Sequence, residues 1–494
     1  MADPSGPSAF QALLPAWFLL LAALVTAVLG WLRPRLWIAV HRLIGGIGVV
    51  AALIAEVVLF RGITSITGIS LVAYGGSVVV DNFATYSVVL LCGVALVGLL
   101  TSGTAAPALG RRAPAYHALL LTAAAGGVVM ASGWEMGMLV AGLALLVPSL
   151  VGMVAVDKAV DGPGEAGLRQ LVGLGVAMAV LVYGLAVVYG ATGTTDLSAT
   201  TAPLAGASPP LEGLGLALVI VGLASLVGAA PLHDWLLQVA RASRGAVAGT
   251  VIALAVTSGG VALVRVLVSG FSASLRPWVV LAGVLAAIAC LYAALLSIAA
   301  STVRRLIALG ASLQGGLLIA ALVGGGLDNQ GRAEGGVDAL LFGLAVFALS
   351  VLAGFLALAL LEADGMGARI SDLRGLSRRS PLAAGLLALG LAGLAGAPPL
   401  AGFIARVLIA GAAMAGGYGW VALATVAASL IYAIPALRAL AAIFVEDEDA
   451  PALAGSAPLL ARAGAVACAV FGVVASVVAG PLIYVANLSA ISLR

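Results

Sequence analysis

Charge is what this chain has least of. Only 9% of its residues are Asp, Glu, Lys or Arg, where a soluble domain carries about 25%. With 63% hydrophobic residues and a mean hydropathy of +1.21, the composition excludes water as the main solvent. Lysine is almost missing, since Lys158 is the one lysine among 23 basic residues. The three cysteines, Cys92, Cys290 and Cys468, fall in separate apolar stretches without CxxC spacing. They read as small buried apolar residues rather than a disulfide frame or metal site. No dinucleotide glycine fingerprint, P-loop or cysteine cluster occurs, so no cofactor or metal is expected in this chain. Short alternating segments of the kind that build a membrane β-barrel are also lacking. The opening "MADPSGPSAF" has no basic n-region, so the first apolar run reads as a membrane helix, not a signal peptide.

What is present is a series of long apolar runs. They fall at roughly 10–32, 37–60, 82–102, 114–132, 134–156, 165–190, 213–240, 245–270, 277–300, 303–325, 337–363, 381–415, 418–443 and 461–486. About 20 apolar residues cross a bilayer as a helix, so the expected fold is an all-α integral membrane protein of about fourteen transmembrane helices. An even count puts both termini on one side. With the termini outside, seventeen basic residues fall at inner loops or helix ends and four, Arg61, Arg276, Arg332 and Arg494, at outer ones. The positive-inside rule therefore favours outer termini. Only Arg265 and Arg406 lie within helices.

An internal echo subdivides the chain. "GAAPL" at 228–232 returns as "GAPPL" at 396–400, and "GEAGLRQLVGLG" (164–175) as "AEGGVDALLFGL" (333–344). The partners lie five helices apart, an odd number, so the two copies run in opposite directions through the membrane. Residues 1–494 are expected to form a single polytopic domain. Within it, two inverted five-helix repeats cover about 114–270 and 277–443, flanked by helices at 10–102 and 461–486. Proline inside a helix frees a carbonyl and bends the axis. Pro231, Pro398 and Pro399 are thus expected to break helices seven and twelve, as in transporters that bind ions at mid-membrane.

Several segments are similar to one family. "VVVDNFATYSVVL" (78–90), "LVYGLAVVYGATGTTDLSA" (181–199), "APLHDW" (230–235), "STVRRLIALGASLQGGLLIAAL" (301–322) and, most specifically, "DLRGLSRRSPLAAGLLALGLAGLAGAPPLAGFIAR" (372–406) carry the likeness. They resemble the antiporter-like membrane subunits of respiratory complex I, of the N type in bacterial NADH–quinone oxidoreductase. Mrp-type antiporters share the fold. The resemblance spans about residues 76–440 and implies a membrane-arm subunit coupling redox chemistry in other chains to proton translocation. Its partners would be neighbouring membrane subunits and the lipid bilayer, with no nucleic acid. The Ala/Gly/Val/Arg bias of the composition suggests a GC-rich bacterial genome, hence an inner-membrane location.

The family's charged machinery does not carry over. Its helix-five glutamate falls at Ala144, its helix-seven lysine at about Leu226 and its helix-eight lysine near Gly259. A histidine usual in helix ten is Gln314. Helix twelve keeps a charge as Arg406, but arginine holds its proton in proteins. The candidate proton-path or coupling residues are accordingly Arg406, His233 and Gln314, and the chain's own channel is expected to be degenerate. Arg406 near mid-membrane calls for a partner, a carbonyl clamp or water. Glu56 and Arg265 are expected to snorkel from helix ends, and Glu135 and Asp338 to be solvated. His117 is expected to be interfacial, and "EDED" (446–449) an exposed loop. Two alternatives stay open: an active Mrp-type cation/proton antiporter subunit, and a non-conducting scaffold of a membrane-bound hydrogenase or similar assembly.

Overall fold

In hydrocarbon the backbone has no water to bond with, so apolar runs this long must close their hydrogen bonds internally as helices. The computed structural model describes residues 7–33, 38–62, 71–157, 163–200, 203, 209–271, 276–324, 336–367, 369–445, 455 and 457–493. Twelve of its helices are long and apolar enough to cross a membrane. In chain order these are α1 (Leu14–Leu32), α2 (Ile38–Gly62), α3 (Asn82–Thr101), α4 (Ala113–Ser132), α5 (Met136–Val156) and α6 (Pro163–Thr192). After a broken seventh come α8 (Gly245–Gly270), α9 (Arg276–Ile298), α10 (Val303–Gly324) and α11 (Val337–Ala363). After a broken twelfth come α13 (Gly419–Phe444) and α14a (Leu459–Val477).

The two remaining spans are each assembled from pieces: α7a (Pro209–Leu226) with α7b (Asp234–Ala242), and α12a (Pro381–Ala395) with α12b (Ala401–Ala415). The chain is therefore an all-α integral membrane protein of about fourteen helices, with interruptions at the prolines the sequence marks. The last span differs from expectation. Instead of one helix over 461–486, α14a gives way at Val478 to α14b (Ala479–Ile491). The Val478 N–H still bonds to Val474 O at 2.7 Å, which makes this a bend rather than an open gap.

Connections segregate to two ends. At one, the antiparallel pair β1 (Leu71–Ala73) and β2 (Val78–Val80) bridges to Gly133. Trp134 donates to Ser77 O, and Leu197 donates to Trp134 O. At the other end Ile370 donates to Ser301 O, Gly375 to Val445 O, and Arg244 N–H to Asp157. This second end carries the arginine-rich connections. Lys158, Arg35, Arg332, Arg494 and the 446–449 run lie outside the described residues.

The core runs through the middle of the bundle. α8, α10 and α11 are almost entirely enclosed, whereas only about a third of the residues of α1, α6 and α14a are buried. Small residues let these helices close up. A Cβ on Gly222 would lie 2.7 Å from Leu181 Cα, and one on Gly390 2.6 Å from Gly354 N. The three cysteines are free and buried among these helices.

Candidate functional site

The two broken helices have one hydrogen-bond plan. At the first break Gly228 N–H donates to Ser225 O, Ala229 N–H to Ala224 O and Leu232 N–H to Ala229 O. At the second, Gly396 N–H donates to Gly393 O, Ala397 N–H to Ala392 O and Leu400 N–H to Ala397 O. Every donor and acceptor is displaced by the same 168 residues that separate "GAAPL" from "GAPPL". Gly228 (φ 68) and Gly396 (φ 67) both take the left-handed conformation that ends a helix without steric cost. Each break also contains a cis peptide bond before Pro231 or Pro399.

A helix end leaves its last carbonyls without partners, and side chains reach back to satisfy them. In the first break Trp235 Nε1 donates to Ser225 O at 2.9 Å. In the second, Arg406 Nη2 donates to Leu394 O. The guanidinium lies against Gly396, so close that a Cβ there would meet its Cδ at 2.3 Å. Arg406 thus acts as a carbonyl clamp. Its Nε and Nη1 are buried without a hydrogen-bond partner, and no acidic partner meets it among the described residues.

His233 stands at the entrance of α7b and does not cap it. Its Nδ1 lies 3.2 Å from Pro231 O. A carbonyl only accepts, so Nδ1 carries the proton and Nε2 is left with its lone pair. That Nε2 is buried and unpartnered, and the ring meets Tyr292 of α9 edge-on. Gln314 sits on α10 between the two breaks and reaches Gly343 O only at 3.5 Å. Its neighbour Gly315 faces Val227 O of the first break, and Gly310, four residues before Gln314, faces Leu394 of the second and Tyr432 Oη. α10 therefore joins the breaks, while His233 and Arg406 remain attached to separate ones.

The positions where the resemblance places charges are occupied differently. Leu226 and Gly259 adjoin: a Cβ on Gly259 would sit 3.2 Å from Leu226 Cγ, in a fully enclosed apolar contact. Ala144, by contrast, lies on the exposed face of α5. The polar atoms remaining near the Gly259 contact are Thr257 Oγ1 and Ser258 Oγ, both buried without partners, and on α10 Ser312 Oγ is the same.

Three expectations about single residues are overturned. Arg265 does not snorkel. It is fully buried and forms a two-point ion pair with Asp81, at 2.7 and 3.0 Å. Ala131 O accepts from its Nε, and its guanidinium lies over Phe83 and Trp134. Glu56 is also buried and accepts from Thr85 Oγ1 at 2.7 Å. His117 is enclosed rather than interfacial and bonds to Ser102 Oγ at 2.9 Å. In each case the polar partner belongs to α3 or to a residue that caps one of its ends. Glu135 and Asp338 are partly exposed at helix starts.

Sequence reading also missed a four-charge network at the arginine-rich end. Asp157 accepts from Arg244 N–H at 2.8 Å and Glu362 from Gly245 N–H at 3.0 Å, so two carboxylates cap the start of α8. Arg304 donates to Ala240 O and Ser243 O at the close of α7b and pairs with Glu362. The two carboxylates thereby face the positive end of the α8 dipole, and Arg304 faces the negative end of the α7b dipole. Burial pushes the Asp157 carboxyl above its ordinary range, against the opposing pull of Arg244 and Arg304. The signal available was the placement of Asp and Glu at the inner ends of helices five and eleven, between arginines.

Comparison with known proteins agrees with this architecture. Residues 135–431 match the family model described as NADH:quinone oxidoreductase/Mrp antiporter, TM. "NADH-quinone oxidoreductase subunit N 1" of Solidesulfovibrio magneticus is 34% identical over 72% of this chain and 75% of its own length. "NADH-quinone oxidoreductase subunit N" of Desulforamulus reducens is 29% identical over 96% of both chains. Among solved structures, respiratory complex I of Thermus thermophilus contains a chain with a TM-score of 0.77 and 24% identity, covering 95% of this chain and 98% of that one. The Mrp complex of Dietzia sp. contains one with a TM-score of 0.82 and 19% identity, covering 98% and 97%. The archaeal membrane-bound sulfane sulfur reductase contains one with a TM-score of 0.83 and 21% identity, covering 97% of each. With matched breaks, a matching family model and relatives above 30% identity along most of their length, this chain belongs to the NADH:quinone oxidoreductase/Mrp antiporter membrane family.

Proposed function

We propose that the chain is an N-type membrane-arm subunit of a complex I-like assembly in a bacterial plasma membrane, and that its own proton channel is degenerate. Both termini face outward, and the segments 114–270 and 277–443 form inverted repeats about the two breaks. Redox chemistry belongs to other chains, and neighbouring membrane subunits cover part of the exposed helix faces.

One observation carries the reading. The enclosed contact where two relay lysines would meet is Leu226 against Gly259, and the remaining midway charge, Arg406, is held on the Leu394 carbonyl. A relay needs groups that give up a proton when buried, as lysine and glutamate do. His233 has a free lone pair, but Arg406, at the other break, is a poor proton carrier. Hydroxyls such as Thr257 and Ser258 can hold water but do not store a proton near neutral pH.

The test is the proton-to-electron ratio of the purified complex in proteoliposomes. With His233→Ala the ratio is expected to match the wild type while assembly and electron transfer are kept. A clear fall in pumping with intact electron transfer would overturn the degenerate channel. Sodium or proton transport by the single purified chain would instead favour an active antiporter subunit.

A further inference from the structure

α12b begins without a side chain of its own that closes its first turn. Leu400, Ala401 and Gly402 stand where the first break has Leu232, His233 and Asp234, 168 residues earlier. The first N–H groups of a helix have no partner within it, so here they are met from outside. Ala401 N–H donates to Ser476 Oγ of α14a at 3.0 Å. Phe403 N–H folds back on Leu400 O at 3.0 Å. Between them lies the enclosed Gly402, whose N–H has no acceptor among the described residues.

This helix start lines a cavity walled by α11, α12a, α12b and α14a. The cavity leaves about 20 Å³ for the centre of a water molecule, where one water needs roughly 10–15 Å³. Glycine makes the room. A Cβ on Gly402 would lie 2.1 Å from Gly393 O, and one on Gly393 would lie 2.3 Å from Ser350 Oγ, so these groups converge. The two serines in the wall already use their protons. Ser350 Oγ donates to Val346 O at 2.8 Å, and Ser476 Oγ donates to Gly472 O at 2.9 Å. Each hydroxyl therefore keeps a lone pair to offer.

We infer that this cavity is a binding site for one water molecule, which accepts from Gly402 N–H and donates to Ser350 Oγ and Ser476 Oγ. About three polar partners is the usual number for a buried water. A buried N–H without an acceptor is costly, and the water removes that cost. The wall suits water better than an ion. Its N–H donor opposes a cation, and an anion needs more donors than the wall supplies. The water ties α11 and α14a to the first turn of α12b, where no side chain of α12b does so. α14a thereby becomes a working part of the second break, although it lies outside both repeats. The site contains no titratable group, so it stands whether or not the chain conducts protons.

The complex, purified in mild detergent, is exposed to brief X-ray radiolysis, in which hydroxyl radicals born from a bound water mark the side chains touching it. Leu389 and Leu400 line the cavity, whereas Leu408 of α12b is also partly exposed but lies outside it. Oxidation of Leu389 and Leu400 several-fold faster than of Leu408 is expected. A cryo-EM map of the wild type that resolves waters should show one compact density beside Ser350. The double variant Ser350→Ala/Ser476→Ala, with assembly kept, should bring both rates down to that of Leu408. Equal rates in the wild type, or an empty cavity in its map, would overturn the site. So would rates left unchanged by the double variant. Density that vanishes when sodium chloride is replaced by choline chloride would give the cavity to a sodium ion, and elongated density would give it to an acyl chain. Either result rejects the proposal.

Discussion

Arg265 and Asp81 face each other through two parallel hydrogen bonds, 2.7 and 3.0 Å, with both side chains buried. Asp81 also accepts from Ala84 N–H at 2.7 Å, so the carboxylate that neutralises α8 is the cap of α3. The pair lies at the end where β2 and the Trp134 turn are joined, and so fastens three connections at once.

Removing one partner leaves a buried charge. Arg265→Leu is expected to destabilise the protein by about 3–5 kcal/mol, measured as loss of assembled complex and a lower melting temperature in detergent. Adding Asp81→Asn, which keeps a capping oxygen, should recover much of the loss. A double variant no better than Arg265→Leu alone would show that the cation–π contacts with Phe83 and Trp134, not the ion pair, hold α8.

The left-handed glycines give a second measurable contrast. Gly228→Ala places a methyl in a conformation costing about 1–2 kcal/mol, and that methyl would lie 2.1 Å from Leu236 Cδ1. Gly213→Ala, where a Cβ meets nothing within 4 Å, should be neutral or slightly stabilising. Expression level and thermal stability of the two variants decide this, and equal behaviour would refute a fixed break.

These comparisons show what sequence can and cannot reveal. The spans and both breaks were legible because hydropathy, glycine and proline act over a few residues. The shared hydrogen bonds of Ser225 with Gly228 and of Gly393 with Gly396 follow from pentapeptides visible in the sequence. Arg265 was misread for a reason of range: its acid lies 184 residues away, and nothing local distinguishes a paired arginine from a snorkelling one. Glu56 and Thr85 failed in the same way. Asp157 and Glu362 meet the start of α8 only once three helices are packed.

Orientation is a separate matter, set by loop charge. Reporter fusions within 157–168 and 364–380 should give cytoplasmic signals, and fusions within 191–212 external ones. The reason is the excess of arginine at the first end. Reversed signals at all three places would turn the protein over in the membrane, and mixed signals would break the fourteen-span count.

Arg406 provides the last contrast, between a charge that carries protons and one that closes a helix. Its guanidinium satisfies the Leu394 carbonyl left open by the break, and no acid faces it among the described residues. Arg406→Leu therefore loses a clamp rather than an ion pair. An orphaned buried carbonyl costs about 1–3 kcal/mol, so partial loss of assembled complex is expected. Arg406→Lys keeps a donor and a positive charge and should assemble nearly normally. Lysine, unlike arginine, can release a proton when buried, so this substitution also restores a titratable group to helix twelve. If the rest of the path is missing, that group has nowhere to pass its proton, and the proton-to-electron ratio of the purified complex stays at the wild-type value. A changed ratio in Arg406→Lys, with electron transfer and assembly intact, would mean that water already links this break to both sides of the membrane.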